Sequence, residues 1–235
     1  MPNATLLSGY HRWLENTFLP DPTYTCVRRG NVVRQYGPAS EGNYVCYVGA
    51  ANDPAAFQTA LAEELAFFQA RGGGFEWKYV RGRSPQGAET ALIAAGFVPG
   101  EREVALGFDL AGAVPPPVVL PDNFSIRPLE TREDLAQVAS LQAEIWDRDF
   151  AWLSESLWQE LTRAPSHMSL HGVFTRGLLV AQGWLRCYPS GVVGLFGGCT
   201  RPGFRSKGLF RAMVGQRQQV AVGGAAPFSS LRPRL

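Results

Sequence analysis

The residues with the clearest potential for chemistry lie in one segment, Gly197–Met213, which reads Gly-Gly-Cys-Thr-Arg-Pro-Gly-Phe-Arg-Ser-Lys-Gly-Leu-Phe-Arg-Ala-Met. This order predicts a strand, a basic loop that contains glycine, and the start of a helix. The first amides of a helix have no internal partner and carry partial positive charge, so anions bind there. Gly208 leaves room for a phosphate, and Arg205, Lys207 and Arg211 add cationic donors. The segment therefore predicts a site for a phosphate or pyrophosphate.

Two common phosphate motifs are absent from this segment. No Gly-Lys-Ser/Thr follows the loop, so it is not a Walker loop, and G-x-G-x-x-G does not occur. Taken alone, a basic glycine loop before a helix is also typical of an ordinary capped surface turn. The elements that surround the loop must therefore decide between the two interpretations.

Periodicity in the second half predicts the order β-α-α-β-β-β-loop-α around this loop. The strands are expected over Phe124–Pro128, Met168–Phe174, Leu178–Tyr188 and Val192–Thr200, and the helices from Thr131, over Ser154–Arg163, and from about Leu209 to Val220. Thr131 and Asp134 form a start that resembles a capping box.

The first half gives a similar order, α-β-β-β-α-β-α-β. Its helices are expected over Thr5–Phe18, Pro54–Arg71 and Gly87–Ala95, and its strands over Tyr24–Arg29, Val32–Tyr36, Asn43–Ala50, Phe75–Val80 and Glu103–Phe108. Ala111–Asp122 carries four prolines in twelve residues, which predicts a semi-rigid linker. We therefore expect domains at residues 1–112 and 123–235, joined by a proline-rich linker at 113–122.

In this setting, Arg205-Ser206-Lys207-Gly208-Leu209-Phe210 resembles the Q/R-x-x-G-x-G/A loop of the GNAT N-acetyltransferase superfamily. It matches the first and fourth motif positions and departs at the sixth, where Phe210 replaces Gly or Ala. The resemblance covers about Phe124–Val220. It implies an α/β fold with a mixed sheet, here expected as tandem GNAT-like domains, the first of them a degenerate copy. Ala51-Asn52-Asp53 stands where that copy would need a glycine loop, so we expect no CoA to bind there.

The resemblance also implies acetyl-CoA as the co-substrate, with no metal. Backbone groups of Gly198, Cys199 and Thr200 would pair with the pantetheine arm, and the amides of Arg205–Phe210 would hold the pyrophosphate. The predicted cofactor-binding residues are thus Gly198, Cys199, Thr200, Arg205, Ser206, Lys207, Gly208, Leu209 and Phe210. Arg201 and Arg211 are either cofactor contacts or solvated charges. No catalytic residue is assigned.

Other chemistry-bearing residues have simpler interpretations. Cys199 is expected to be a small buried residue on a central strand rather than a nucleophile, and His167 and His171 to be strand-edge residues rather than ligands. Glu144, Asp147 and Asp149 include a candidate general base but are more typical of a solvated helix end. Trp146, Trp152 and Trp158 are expected in the core or lining a cleft.

The residues after Val220 read Ala-Val-Gly-Gly-Ala-Ala-Pro-Phe-Ser-Ser-Leu-Arg-Pro-Arg-Leu and show no helical or strand period. Family members usually continue with a strand, a helix and two strands, and often supply a tyrosine acid there, whereas this chain has no tyrosine after Tyr188. Three explanations remain open: a truncated or frameshifted end, which we favour, completion by the first half, and completion by a partner chain.

Composition narrows the function classes. Hydrophobic residues make up 46% of the 235 residues, and the formal net charge is only +2, which argues against a general polyanion binder. However, residues 161–235 hold ten Lys and Arg and no acid, so the preceding 160 residues carry a net charge of −8. The scattered cysteines, and the lack of a leader or an apolar run of about 18 residues, predict a cytoplasmic protein without a membrane partner.

We therefore expect an N-acetyltransferase that moves an acetyl group to an amine of a small molecule or a protein, with a homodimer as a further expectation. The alternative is a catalytically disabled acyl-CoA-binding or regulatory protein. Nucleic-acid binding is disfavoured because no aromatic residues interleave with a basic face. The acceptor itself is not encoded in a recognisable motif.

Overall fold

The computed structural model of the chain describes residues 4–15, 24–37, 42–188 and 191–224. The chain divides into two compact units, Met1–Phe108 and Asp109–Leu235, hereafter unit 1 and unit 2. Each unit is built on its own four-stranded sheet. Within the described ranges, no helix is long and apolar enough to cross a membrane, and no cluster of three or more His, Cys, Asp or Glu side chains could hold a metal ion.

Unit 1 is an antiparallel meander followed by a helical crossover. Its elements are α1 Ala4–Glu15, β1 Thr25–Arg29, β2 Val32–Tyr36, β3 Tyr44–Tyr47, α2 Pro54–Arg71, β4 Glu76–Lys78 and α3 Ala88–Ala94. The sheet order is β1-β2-β3-β4. The β1–β2 and β2–β3 pairs are antiparallel, whereas β4 returns after α2 and lies parallel to β3.

The predicted boundaries of α2 are confirmed by its caps. The Asp53 carboxylate accepts a hydrogen bond from the Ala56 amide at 2.9 Å, and Gly72 ends the helix with a φ of 71°. Phe57 and Phe68 face the sheet from α2 and pack with Val45 and Trp77. Burial of these side chains fixes the helix on one face of the sheet.

The prediction of a strand over Glu103–Phe108 is wrong. No helix or strand forms there, and Val104, Leu106 and Phe108 are 81%, 93% and 67% exposed. The alternation of apolar residues satisfies the local pattern of a strand. A strand also needs a neighbour that accepts its backbone hydrogen bonds, and no described strand pairs with this segment.

Unit 2 follows the predicted order. Its elements are β5 Ser125–Pro128, α4 Arg132–Trp146, α5 Ala151–Arg163, β6 Met168–Thr175, β7 Leu178–Cys187, β8 Val193–Thr200, a 3-10 turn Pro202–Phe204 and α6 Leu209–Gly224. The sheet order is β5-β6-β7-β8, with every pair antiparallel. The predicted capping box of Thr131 and Asp134 is present at the start of α4.

The two faces of this sheet carry different helices. On one face, Leu135 and Leu141 of α4 and Leu157 of α5 pack against strand residues that include Leu170 and Trp184. On the other face, Leu209 and Met213 of α6 pack against Val173, Val180 and Ala181. The first turn of α6 is therefore anchored beside the end of β8, which positions the loop between them.

The proline-rich segment 113–122 has no helix or strand. Its Pro116 carbonyl accepts a hydrogen bond from the side-chain Nε2 of Gln219 on α6 at 3.2 Å. The segment therefore lies along α6 within unit 2.

Candidate functional site

The loop between β8 and α6 is shaped by two turns. Arg201 and Pro202 carbonyls accept hydrogen bonds from the Phe204 and Arg205 amides, which closes the first turn. Ser206 and Gly208 then take φ values of 62° and 78°, a left-handed conformation that glycine adopts freely. The Gly208 carbonyl accepts from the Ala212 amide at 3.0 Å, so α6 begins directly after it.

A cavity of about 210 Å³ opens at this helix start. Its lining consists of Thr200, Phe204, Arg205, Ser206, Gly208, Leu209, Phe210 and Arg211. The lining includes two arginines and no acid, and the free amides of the first helical turn add positive potential. The arrangement suits an anionic group such as a phosphate.

Most of the residues predicted to bind a cofactor come together here. Thr200, Arg205, Ser206, Gly208, Leu209 and Phe210 line the cavity, whereas Lys207, Gly198 and Cys199 do not. Arg211, for which two interpretations were open, also lines it. The Thr200 hydroxyl is buried without a hydrogen-bond partner, which leaves a polar atom at the cavity for a ligand to satisfy.

β8 is the outermost described strand of its sheet, and it carries a bulge. Gln182 pairs with Cys199 and Trp184 pairs with Phe196, so Gly197 and Gly198 together face the one intervening residue of β7. Gly197 has a φ of 58°, and a Cβ there would overlap the Trp184 ring. The bulge therefore requires glycine.

Two buried glutamines hold the bulge. The side-chain amides of Gln142 on α4 and Gln182 on β7 each donate to the Gly197 carbonyl at 2.8 Å. Because a trans peptide points its N–H opposite to its carbonyl, the Gly198 N–H is directed away from both glutamines. Sequence reasoning missed both residues, and the only signal for them was the Gly197-Gly198 pair inside a strand.

Cys199 is 7% exposed, as expected of a small buried residue, but it lies on the outermost described strand and not on a central one. Its Sγ accepts a hydrogen bond from the Gln182 side chain at 3.2 Å. Burial raises the pKa of the Cys199 thiol, so the neutral thiol dominates at neutral pH. This environment does not favour a nucleophile.

The acidic residues near the end of α4 already have structural partners. Glu144 forms an ion pair with Arg201 at 2.6 Å, and the Asp149 carboxylate accepts from the Ala151 amide at 2.8 Å. Asp147 ends the helix with a φ of 50°. The helix-end interpretation therefore fits these residues better than a general base.

The histidine prediction needs correction. His171 lies on β6, which is flanked by β5 and β7, and it is only 4% exposed, so it is not a strand-edge residue. Burial first, and then the charge of Arg217, lower the pKa of His171 to about 4. His167 lies in the turn before β6.

The tryptophans differ from one another. Trp158 packs against the core, but Trp146 and Trp152 are 59% and 47% exposed and do not belong to it. The Trp146 indole donates to the Gln142 side chain at 2.8 Å, so Trp146 orients one of the two glutamines that hold the bulge.

A second cavity, of about 250 Å³, lies between α4 and the start of β7. Its lining residues are Glu133, Ala136, Gln137, Ser140, Leu178, Leu179 and Arg201. Arg201 forms an ion pair with Glu144 there and donates a hydrogen bond to the Leu179 carbonyl. This cavity lacks the free helix amides that distinguish the first.

No protein-family model and no curated protein matches the sequence. Among solved structures, the fold is similar to a GCN5-related N-acetyltransferase from Kribbella flavida, with a TM-score of 0.68, 17% identity, and coverage of 94% of this chain and 82% of that one. The chain therefore has the α/β GNAT fold, whereas the tandem arrangement of two GNAT-like domains stays a prediction.

Two further solved structures match less of the chain. One is PaiA N-acetyltransferase from Thermoplasma acidophilum in complex with coenzyme A. The match covers 42% of this chain and 71% of the PaiA chain, with 16% identity and a TM-score of 0.36. AAC(6')-Iy in complex with a CoA bisubstrate analog covers 43% and 74%, with 19% identity and a TM-score of 0.36.

Proposed function

We propose that the chain is an N-acetyltransferase whose unit 2 binds acetyl-CoA and transfers the acetyl group to an amine of a small molecule or a protein. The observation that carries the proposal is the cavity at the start of α6, lined by Thr200, Arg205, Ser206 and Gly208. The cavity follows β8 along the chain. A ligand that lies along β8 would therefore meet the backbone groups of the strand and then the anion site at the start of the helix.

The residues of the cavity fit a pyrophosphate. The lining holds no carboxylate that would repel it, and residues 161–235 hold ten basic residues and no acid. Arg205 donates from Nε to the Thr200 carbonyl at 3.1 Å, which fixes this guanidinium at the rim. The backbone groups on the outer side of β8 would then accompany the pantetheine arm as a neighbouring strand would.

The reaction needs the amine nitrogen to attack the thioester carbonyl carbon. The C–S bond then breaks, its electron pair goes to sulfur, and the nitrogen loses one proton. The part of this chain is to bind and orient: the cavity fixes the donor, and Gln142 and Gln182 fix the bulge beside it. The protonated, buried state of Cys199 favours direct transfer over an acyl-cysteine intermediate.

Unit 1 is proposed not to bind CoA. Its β3 is covered by the parallel pairing of β4 over Tyr44–Cys46, which occupies the edge that an arm would need. At the start of α2, Asp53 places a carboxylate on the first amides, where it would repel a phosphate.

Calorimetric titration of acetyl-CoA into the full chain tests the cofactor claim, with desulfo-CoA as a control for recognition of the pyrophosphate. We expect both to bind the wild type. Gly208→Glu should weaken binding at least about a hundredfold, about 2.7 kcal/mol, because it adds bulk and negative charge. Gly177→Glu is the matched control, since Gly177 also has a left-handed φ, 79°, with open space around its Cβ position.

Retained binding by Gly208→Glu, or no binding of either ligand at millimolar concentration, would refute the site. Once binding is established, thiol release with a panel of primary amines separates a transferase from a protein that only binds acyl-CoA. Release that depends on the amine supports transfer.

A further inference from the structure

Arg217 of α6 is the largest fully buried side chain of the described residues and is 2% exposed. Its Nε donates to the Met213 carbonyl at 3.1 Å. Its Nη1 lies 3.5 Å from the Trp184 carbonyl and 3.4 Å from the Phe196 carbonyl. All of these acceptors are neutral backbone groups.

Arg34, which is buried, and Arg186, which is half-buried, both have carboxylate partners. Arg34 bonds Glu64 through two nitrogens at 2.5 and 2.7 Å, and Arg186 bonds Glu160 through two nitrogens at 2.7 Å each. Within the described ranges, Arg217 has no ion pair, and residues 161–235 contain no acid that could supply one. A lone buried cation is costly, so this position calls for an anion.

The guanidinium occupies a space that two glycines create at the bulge. A Cβ on Gly183 would lie 2.7 Å from Nη1 of Arg217, and a Cβ on Gly198 would lie 3.5 Å from Nη2. No hydrogen-bond partner for Nη2 occurs in the described part of the chain. The Nη2 end of the guanidinium is therefore next to Gly198 on the outermost described strand.

The surrounding groups do not neutralise this charge. His171 on β6 pairs directly with Gly183, so it lies on the same face of the sheet as Arg217. Burial lowers the pKa of Arg217 to about 10, which leaves it protonated at neutral pH. It is therefore a fixed cation and not a proton donor.

The bulge is close to the proposed cofactor cavity. Thr200 lines the cavity, and Gly198 lies two residues earlier on β8, about 7 Å away at the rise of an extended strand. An arm that leaves the cavity along β8 thus passes the bulge. The anion that acetyl transfer produces on that arm is the thiolate.

Given the proposed function, on which this inference rests, we propose that Arg217 stabilises the CoA thiolate at the bulge of β8. When the C–S bond breaks, its electron pair goes to sulfur, and the sulfur remains an anion opposite the guanidinium. No proton has to be delivered to it, and the proton from the amine leaves separately to solvent.

The test measures the thiol pKa of bound CoA by the ultraviolet absorbance of the thiolate. The signal of the complex with desulfo-CoA is subtracted to remove the protein's own cysteines. An opposite charge within about 4–6 Å lowers a pKa by about 1–3 units, so the wild type should show a value at least about one unit below that in Arg217→Met. Arg163→Met, which removes an exposed charge of α5, is the matched control and should resemble the wild type.

Gly183→Ala is a second variant that keeps the charge but displaces the guanidinium, and it too should raise the bound thiol pKa. It replaces Arg217→Met if that variant does not fold. Arg217→Lys should recover part of the shift, and the affinity for desulfo-CoA should change little in all four variants.

The outcomes separate the two proposals. Equal bound-thiol pKa values in the wild type and Arg217→Met, with CoA and desulfo-CoA both bound, would overturn the role of Arg217 alone. Failure of both ligands to bind the wild type would overturn the proposed function, and with it this inference. A raised pKa in Arg217→Met and Gly183→Ala, with Arg163→Met unchanged, supports the assignment.

Discussion

The two units share an antiparallel meander followed by a helix. They differ in what lies next to the strand before that helix and at the start of the helix. In unit 1, β4 pairs with β3 after α2, and Asp53 caps the helix with a carboxylate. In unit 2, the described residues provide no partner for the outer side of β8, and α6 begins directly after Gly208, a residue without a side chain. At this position unit 1 has a neighbouring strand and a capping carboxylate, and the described part of unit 2 has neither.

The buried arginines repeat this difference. Arg34 in unit 1 is matched by Glu64, whereas Arg217 in unit 2 faces only neutral groups within the described ranges. Similar architecture therefore does not imply similar electrostatics. The unit whose buried arginine lacks a counter-charge among the described residues is the better candidate for a site.

The largest expected effect is the loss of stability when the ion pair of unit 1 is broken. Glu64→Gln should destabilise unit 1 by about 3–5 kcal/mol, because it leaves Arg34 buried without a counter-charge. Arg217→Met should instead leave the stability of unit 2 unchanged or raise it, since it removes a cation that is already unpaired. Urea denaturation measures both.

The double variant Arg34→Met/Glu64→Leu is the control and should recover most of the loss. A Glu64→Gln variant as stable as the wild type would remove the contrast between the two units.

His171 should make the stability of unit 2 dependent on pH. Burial lowers its pKa to about 4, whereas an unfolded histidine titrates near 6.5. The unfolded state thus takes up the proton first, so stability is fully present above about pH 6.5 and falls by about 2–3 kcal/mol towards pH 4.5. His171→Gln should lose this dependence in urea titrations at the two pH values. Parallel pH curves for the two proteins would contradict the burial of a neutral imidazole.

The helix caps should differ in strength. Burial raises the pKa of Asp134, but hydrogen bonds from Arg127 and from the Glu130 and Thr131 amides outweigh this and lower it to about 2. Asp134→Ala should therefore cost about 2 kcal/mol at neutral pH, a contribution lost as the pH falls from about 4 through 2. Asp53→Ala removes one exposed bond and should cost about 1 kcal/mol. Equal costs by thermal unfolding would show that the extra bonds of Asp134 add nothing.

The smallest effect on binding and turnover is expected from substitution of a buried cysteine. Burial raises the pKa of Cys199 and raises that of Cys46 in unit 1 to about 11, so both should react slowly with a thiol reagent in the folded protein. Cys199→Ala should keep acetyl-CoA binding and turnover. Preferential labelling of Cys199 in mass spectra, or loss of turnover in Cys199→Ala, would contradict this expectation and indicate a nucleophile.

Local sequence patterns predicted most of the fold, because caps and periodicity act over a few residues. The strands expected over Tyr24–Arg29 and Val32–Tyr36 form the β1–β2 pair, and Thr131 with Asp134 predicted the start of α4. The strand expected at Glu103–Phe108 failed because a strand depends on a distant neighbour.

The loop that lines the cavity at the start of α6 was predictable for the same local reason, since helix starts and glycine turns are encoded in sequence neighbours. The residues that support the bulge were not predictable from the sequence. Gln142 is 55 residues from the Gly197 carbonyl that it binds, and Arg217 meets Gly183 only through the packing of α6 on the sheet. Polar residues buried by such long-range packing carry no local pattern.

The most direct test of the central claim, that the start of α6 is an acyl-CoA site, is amide NMR of the isotope-labelled full chain titrated with CoA. We predict that the largest saturable shifts fall on the amides of residues 198–200 and 205–210, and that the amides at the start of α2 in unit 1 do not move. Shifts centred on unit 1, or no shifts at millimolar CoA, would contradict the claim.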